Sequence, residues 1–403
     1  EKVAIGRDNR LSSDRIWQAL TEGELKSGVN IIDVGVVPTP LLYYAIIHFN
    51  CGGGVMITGS HIDMDSNGVK FFFAKEEINK DQESEIENIF THLPDDEPPV
   101  GESGHSQNTD SGLNNYIEHL LSITDLPNQK LKIVFDPGNG GQTESISTYL
   151  REVGLNFVPL QAHLQDPLIS RDTEADGSFK TLQETVLSEK ADLGVGFDSD
   201  GDRAIFVDHT GRFISGDYSG SIIARHFGAD SVVVPINVSN VVNYLGKQVF
   251  RTKVGSPYVI QAMHRTDSLI GFESNGGVIH ADTMYSRDGG TTMVKMLNIL
   301  KWTQKPLASL VDSLPHFTLL RTKFDCPFSR YQHIYNQAEK FLHPQSIDKT
   351  DGVKLILDDS TWVLFRGSGN APEFRVFVES DRPTKANQLL NDSINFAKEI
   401  TNV

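Results

Sequence analysis

Three times along this chain an apolar strand runs into a short loop rich in small or acidic residues, and helices separate the strands. That alternation commits most of the sequence to α/β layers. In the first cycle Val3-Ala4-Ile5 reads as a strand, and Ser12-Ser13 cap a helix reaching about Ser27. Ile31-Ile32-Asp33-Val34-Gly35 is the next strand. Pro38-Thr39-Pro40 opens a second helix to about Phe49, and Gly54-Val55-Met56-Ile57-Thr58 is a third strand. The second cycle starts at Leu131–Asp136, passes through Pro137-Gly138-Asn139-Gly140-Gly141 into a helix, and ends on the apolar run Ala191–Gly196. The third begins near Asp217, with strands at Ser231–Ile236 and near Leu269-Ile270. Residues 94–112, rich in Pro, Ser, Gly and Asn, read as a linker needing no structure beyond a connection. From about His316 the pattern changes to strands at Val353–Leu357 and Trp362–Phe365, with helices over Tyr331–Phe341 and Lys385–Ile400, which reads as a separate α+β unit.

At 403 residues the chain is too long for one core. Its net charge of −17 makes nucleic acid or an anionic membrane surface a poor partner. An acidic protein that binds anions must do so with local arginines, helix ends and metal. The two cysteines, Cys51 and Cys326, lack any zinc-type spacing, so a reduced, cytoplasmic protein is expected. No apolar run approaches the roughly 18 residues of a membrane span, and no signal peptide is visible. The chain opens at Glu1 directly on an apolar strand, so a further segment ahead of it is expected.

The chemistry concentrates in four loops. Gly196-Phe197-Asp198-Ser199-Asp200-Gly201-Asp202-Arg203 alternates three carboxylates within five residues. Their hard oxygens suit Mg²⁺ or another hard divalent ion, and they repel one another without one. Gly201 permits the tight turn, and Arg203 offers a planar fork for a phosphate. An EF-hand is excluded, because its glycine and glutamate positions are Arg203 and His209. Thr58-Gly59-Ser60-His61, followed by Asn67-Gly68-Val69-Lys70, places a serine just past a buried strand. Alone it fits a structural turn as well as a nucleophile or phosphate acceptor, and Lys70 alone fits a snorkelling strand-end lysine. It is no hydrolase elbow, since Thr58 and Ile62 stand where that turn needs glycine. Gly271-Phe272-Glu273-Ser274-Asn275-Gly276-Gly277 pairs a carboxylate and an amide that can hold neighbouring sugar hydroxyls, or is an ordinary turn. Arg366-Gly367-Ser368-Gly369-Asn370-Ala371-Pro372 exposes backbone N–H groups beside an arginine, as a phosphate cradle would.

In their chain order of serine, aspartate, sugar and phosphate loop, one to each unit, the four resemble the α-D-phosphohexomutase superfamily, in its bacterial phosphomannomutase/phosphoglucomutase group. The resemblance covers nearly the whole chain. It implies three similar α/β domains with mixed sheets plus a smaller C-terminal α+β domain around a central cleft, over residues 1–108, 109–212, 213–316 and 317–403. It also implies that phosphorylated Ser60 exchanges its phosphoryl group with a hexose phosphate through a 1,6-bisphosphate, which would serve as activator. Asp198, Asp200 and Asp202 would hold Mg²⁺ together with a Ser60 phosphate oxygen. Arg203 would assist transfer, and Lys70 and His61 would move the hydroxyl proton. Glu273, Ser274, Asn275 and Gly276 would meet the sugar, and Arg366, Ser368, Gly369 and Asn370 the non-reacting phosphate.

Several positions depart from the family pattern. Ile62-Asp63 replace an Asn-Pro pair, Asn275 replaces the sugar-loop serine, and Gly277 replaces the histidine that closes that loop. Asn237 and Gly255-Ser256-Pro257 stand near the place of a substrate-facing lysine and a Gly-His pair. The family's substrate-facing N-terminal arginine has no counterpart in this sequence; Arg7 and Arg10 lie nearest. Mannose or glucose phosphates are the expected substrates. A phosphoglucosamine-type mutase and a catalytically silent sugar-phosphate binding protein are the alternatives.

Overall fold

The computed structural model describes residues 1–73, 76–92, 104–109, 111–126, 130–369 and 371–401. Four sheets follow one another along the chain, and the first three share a plan. In the first, Lys2–Arg7 is flanked by Asn30–Val36 and Gly53–Ile57, all parallel, and Val69–Phe73 returns antiparallel to Gly53–Ile57. In the second, Lys132–Asp136 lies between Asn156–Pro159 and Leu193–Phe197, and Ala204–Asp208 returns antiparallel. In the third, Ser231–Pro235 lies between Gln248–Thr252 and Ile270–Phe272, and Val278–His280 returns antiparallel. Each sheet is therefore mixed at one definite place. The inner parallel strands Gly53–Ile57, Leu193–Phe197 and Ser231–Pro235 are buried on both faces, which is why they read as continuous apolar runs rather than alternating ones.

That plan fixes where chemistry can sit. In all three sheets the motif loop joins the last parallel strand to its antiparallel return: residues 58–68, 198–203 and 273–277. The fourth sheet is antiparallel throughout, in the order Thr318–Asp325, Glu373–Ser380, Thr361–Gly367, Val353–Asp358, Ser346–Asp348. Its motif loop also joins two strands, Thr361–Gly367 and Glu373–Ser380.

The first three sheets share one continuous apolar core, running from Ala4 and Leu41 through Phe135 and Phe197 to Phe272 and Leu297. The helix Gly289–Thr303 is its hub, buried from Gly289 to Leu300. The fourth sheet packs Tyr331–Phe341 and Pro383–Thr401 around a core of its own, including Ile334, Val363, Phe374 and Ala397. A small patch of Ile236, Trp362, Leu364 and Phe377 joins it to the third sheet.

Three expectations are corrected. Ser12 and Ser13 do not cap the helix Ser13–Lys26 with their hydroxyls; Ser13 Oγ donates to Asp8 at 2.6 Å, and both accept from the Asn67 amide. The linker holds more than a connection, because Ser106–Asn108 add a parallel edge strand beside Asn30–Val36. The break between residues 212 and 213 falls inside a sheet, since Phe213–Ile214 pair with Phe206 and Val207. Among the described residues no helix is long and apolar enough to cross a membrane.

Candidate active site

Ser60 sits at the start of the first motif loop with φ of +46°, in the left-handed region that costs a residue with a side chain. The surrounding side chains enforce that geometry. Thr58 Oγ1 accepts the Ser60 N–H at 2.8 Å and donates to Asp8 at 2.8 Å. The buried Arg10 guanidinium donates to the carbonyls of Ser60 (2.7 Å), Ile62 (3.0 Å), Asp63 (2.7 Å) and Ser66 (3.0 Å) and pairs with Asp8. Arg10 therefore shapes the serine loop from behind. Arg7 pairs with Asp14 and Asp33 instead.

The strained serine faces a different domain. Its Oγ donates to Asp198 Oδ2 at 3.1 Å and lies 3.4 Å from His61 Nδ1. Asp198, Asp200 and Asp202 are all buried, and a carboxylate oxygen from each lies within 4.8 Å of the others. Gly201, at φ +64°, makes the turn, and a side chain there would strike Gln142. Gln142 itself holds the loop by donating to the Gly201 carbonyl at 2.9 Å. Thr39 adds a second clamp: its hydroxyl donates to Asp200 Oδ2 at 2.7 Å and its N–H to the Asp200 carbonyl at 2.8 Å.

Cations crowd the other side of the carboxylates. Lys70 Nζ reaches Asp200 Oδ2 at 2.5 Å and Asp202 Oδ2 at 2.9 Å. Arg203 Nε lies 3.4 Å from Asp198 and 3.6 Å from Asp202. Arg287, from the end of the strand Met284–Arg287, pairs with Asp202 at 2.7 Å and with Glu273 at 3.1 Å. Burial lifts all three aspartates, and the outcome depends on partners. Asp198 stays well above the usual carboxylate range, because Asp200 and Asp202 add to burial. Asp200 and Asp202 fall below it, because Lys70 holds both and Arg287 holds Asp202. Burial also opposes the Lys70 ammonium, yet Asp200 and Asp202 keep it above its ordinary range. The His61 imidazole drops to about 4, chiefly through the Arg203 charge and then burial.

The donor set fits a hard divalent ion. Asp200 Oδ1 and Asp202 Oδ1 are buried without a hydrogen-bond partner, while their Oδ2 atoms are taken by Thr39, Lys70 and Arg287. Asp202 Oδ1 has Arg203 Nε only at 3.6 Å, and such anionic oxygens, buried without a hydrogen bond beside a third carboxylate, are costly unless a cation meets them.

The third loop packs directly on the second. Ala204 N–H donates to the Gly276 carbonyl at 3.2 Å. Ser274 Oγ donates to Asp217 at 2.9 Å, and Asn275 Oδ1 accepts the Gly277 N–H at 3.0 Å, so both side chains help shape the turn. Glu273 is buried and faces Arg287. In the fourth loop Arg366 pairs with Asp351 at 2.7 Å, Gly367 N–H donates to Tyr335 OH at 2.8 Å, and Ser368 N–H to the Glu373 carbonyl at 2.8 Å. A side chain built at Gly369 would meet nothing within 4 Å among the described residues. Asn370 lies outside the described residues.

Ser60, His61, Lys70, Asp198, Asp200, Asp202, Arg203 and Glu273 thus come together across three sheets. Sequence reading missed Thr39 and Arg287, and it placed Arg10 with Arg7 near the substrate-facing arginine, whereas Arg10 is taken up by the carbonyls of the serine loop and by Asp8. Thr39 was hidden in a helix-opening Pro-Thr-Pro. Arg287 was marked only by Arg287-Asp288-Gly289-Gly290, a strand end running into a capped helix.

This arrangement of sheets and loops is matched among known proteins. Family profiles agree domain by domain: phosphoglucomutase/phosphomannomutase alpha/beta/alpha domain I matches residues 1–96, domain II residues 114–211 and domain III residues 215–317. The chain is 34% identical to a phosphoglucomutase/phosphomannomutase of Thermococcus kodakarensis, over 98% of this chain and 90% of that protein. It is 33% identical to a phosphoglucosamine/phosphogalactosamine mutase of Sulfurisphaera tokodaii, over 97% and 90%. The fold matches a solved phosphoglucomutase/phosphomannomutase family protein of Burkholderia thailandensis with a TM-score of 0.84 at 23% identity, covering 99% of this chain and 89% of that one. The chain belongs to the phosphoglucomutase/phosphomannomutase family of the α-D-phosphohexomutase superfamily, whose members are intramolecular phosphotransferases.

Proposed function

We propose that this enzyme interconverts hexose 1-phosphates and hexose 6-phosphates, of mannose and glucose first, through phosphorylated Ser60 and a 1,6-bisphosphate. One observation carries the reading: a strained serine from one domain donates at 3.1 Å to the carboxylate cluster of another. In the forward half-reaction the Oγ–phosphorus bond of phosphoserine breaks as the substrate hydroxyl oxygen bonds to phosphorus. In the second half the other phosphate returns to Ser60 Oγ. Free bisphosphate would reload a serine that had lost its phosphate, and so act as activator.

Mg²⁺, held by Asp198, Asp200, Asp202 and a phosphoserine oxygen, would supply neutralisation of the charge on the transferring group. Arg203 adds a fixed positive charge beside Asp198. His61 and Lys70 are the groups placed to hold or move the hydroxyl proton. Glu273 and Asn275 would grip sugar hydroxyls, with Ser274 and Gly276 shaping their turn. Arg366, Ser368, Gly369 and Asn370 would hold the phosphate that does not react. Because the two ends of the sugar exchange roles, that cradle must accept either phosphate. The two buried free cysteines suit a reducing cytoplasm.

A phosphoglucosamine-type substrate is the second reading, supported by the name of the Sulfurisphaera relative. Coupled assays with mannose 1-phosphate, glucose 1-phosphate and glucosamine 1-phosphate rank the substrates. Peptide mapping by mass spectrometry should find a phosphate-sized increase on the Ser60 peptide, and Ser60→Ala should lose nearly all turnover. A Ser60→Ala protein with wild-type turnover would sink the mechanism. Wild-type protein that binds sugar phosphates without turnover would point to a silent binding protein.

A further inference from the structure

Arg287 is held in place by more than its ion pairs. Its neighbour Asp288 caps the helix Gly289–Thr303, accepting the Thr291 N–H at 3.0 Å and the Thr291 hydroxyl at 2.7 Å. Tyr116 OH, from the helix Ser111–Ser122, donates to Asp288 at 2.6 Å. The Gln142 amide reaches both Tyr116 OH (3.3 Å) and the Gly201 carbonyl (2.9 Å). Gly289 closes the circuit, because a side chain there would come within 2.7 Å of the Gly201 carbonyl. The backbone carrying Arg287 is thus anchored to the same aspartate loop that its side chain faces.

The guanidinium divides its donors between two loops. Nη2 meets Asp202 Oδ2 at 2.7 Å, and Nη1 meets Glu273 Oε2 at 3.1 Å. It shares Asp202 Oδ2 with Lys70 and leaves Asp202 Oδ1 free of hydrogen bonds. It likewise holds Glu273 by one oxygen. We propose that Arg287 is a positioning residue for sugar recognition: braced on Asp202, it fixes the carboxylate of Glu273 in the orientation that meets the sugar. The inference rests on the phosphohexomutase reading and names a residue through which the sugar loop is registered against the metal loop. A planar fork can serve two carboxylates at fixed angles, which a single ammonium cannot reproduce.

The test uses the full chain with Mg²⁺ and the hexose phosphate that wild-type protein turns over fastest, reading Mg²⁺ affinity by calorimetry apart from KM and kcat. Arg287→Lys keeps the charge and is expected to raise KM about tenfold, the scale of one charged hydrogen bond, with Mg²⁺ affinity and kcat within about threefold. Glu273→Ala should raise KM by itself. Adding Arg287→Lys to Glu273→Ala should change KM no further, because nothing remains to be positioned. Arg287→Gln should also tighten Mg²⁺ binding, since a positive charge leaves Asp202; if that protein fails to fold, the Arg287→Lys arm still decides. Wild-type KM in Arg287→Lys, or effects on KM that multiply in the double variant, would overturn the proposal. Absence of hexose phosphate turnover in wild-type protein would overturn the parent reading instead.

Discussion

The serine, aspartate and sugar loops differ from the phosphate loop of the fourth domain in what holds them. The first three are stitched to one another by side chains that cross sheets: Ser60 to Asp198, Thr39 and Lys70 to Asp200, and Arg287 to Asp202 and Glu273. Beneath them runs a single apolar core. Arg366, Gly367 and Ser368 are held by Asp351, Tyr335 and Glu373 of their own domain, over a separate core. Asp351 is also the link outward, accepting the Val254 N–H at 2.9 Å. The proposed centre for phosphoryl transfer is therefore a product of three domains docking. Among the described residues the candidate phosphate cradle is held by its own domain, and contacts such as Arg321 to Glu174, Lys354 to the Ile236 carbonyl and Glu379 to the Asn240 N–H join that domain to the rest.

The largest effect on that contrast should come from Asp200→Asn. It removes a charge from the jointly built centre while keeping an oxygen for Thr39. Mg²⁺ affinity measured by calorimetry should fall at least as far as the roughly 10- to 100-fold that losing a supporting partner costs. Thermal stability should change little. Unchanged Mg²⁺ affinity would mean that the three loops do not act as one site. Arg366→Ala should do less and in a different parameter. KM for the hexose phosphate should rise about tenfold, as for a lost charge-assisted hydrogen bond, with Mg²⁺ affinity untouched. A parallel fall in Mg²⁺ affinity would erase the distinction between the two regions.

The same contrast explains what could be read from sequence. Ser60 and the three aspartates lie in loops after apolar strands, and Arg366 at the end of one, where residue types and spacing already imply chemistry. The α/β layers were legible too, because parallel strands buried on both faces leave continuous apolar runs such as Val232-Val233-Val234, whereas the mixed sheets were implied only by the family resemblance. The cross-domain contacts were not legible. Arg287 lies 85 positions from Asp202, and Thr39 lies 161 from Asp200, so no local pattern records either pairing. Arg10 looked like a candidate for the substrate because a lone arginine advertises charge; its four carbonyl partners show a structural brace. Ser12 and Ser13 looked like helix caps because capping is the commonest local use of serine, and tertiary partners at Asp8 and Asn67 took their hydroxyls instead.

The smallest effect on turnover should come from the joint between the two regions, and it should appear as a pH dependence. Lys354 is buried with its Nζ 2.8 Å from the Ile236 carbonyl and 3.8 Å from the Trp362 ring centre. Burial, and then the Arg251 charge, push its ammonium well below the ordinary 10.5, against the pull of Glu379 and Asp348. An unfolded lysine keeps its proton up to about pH 10.4, so between the depressed native value and that point the unfolded state binds more protons. Stability must then rise with pH across the window, by at most about 1.4 kcal/mol per pH unit for one proton, and is lost as pH falls back through the native value. Lys354→Met removes the group and should flatten that slope while leaving Mg²⁺ affinity and KM near wild type. Denaturant unfolding at several alkaline pH values, followed by fluorescence with Trp17 and Trp302 replaced by Phe in both proteins so that Trp362 alone reports, reads the joint itself. Parallel pH profiles for the two proteins would show that Lys354 stays charged in the folded state, and that the Ile236 carbonyl and the Trp362 ring meet an ammonium rather than a buried neutral amine.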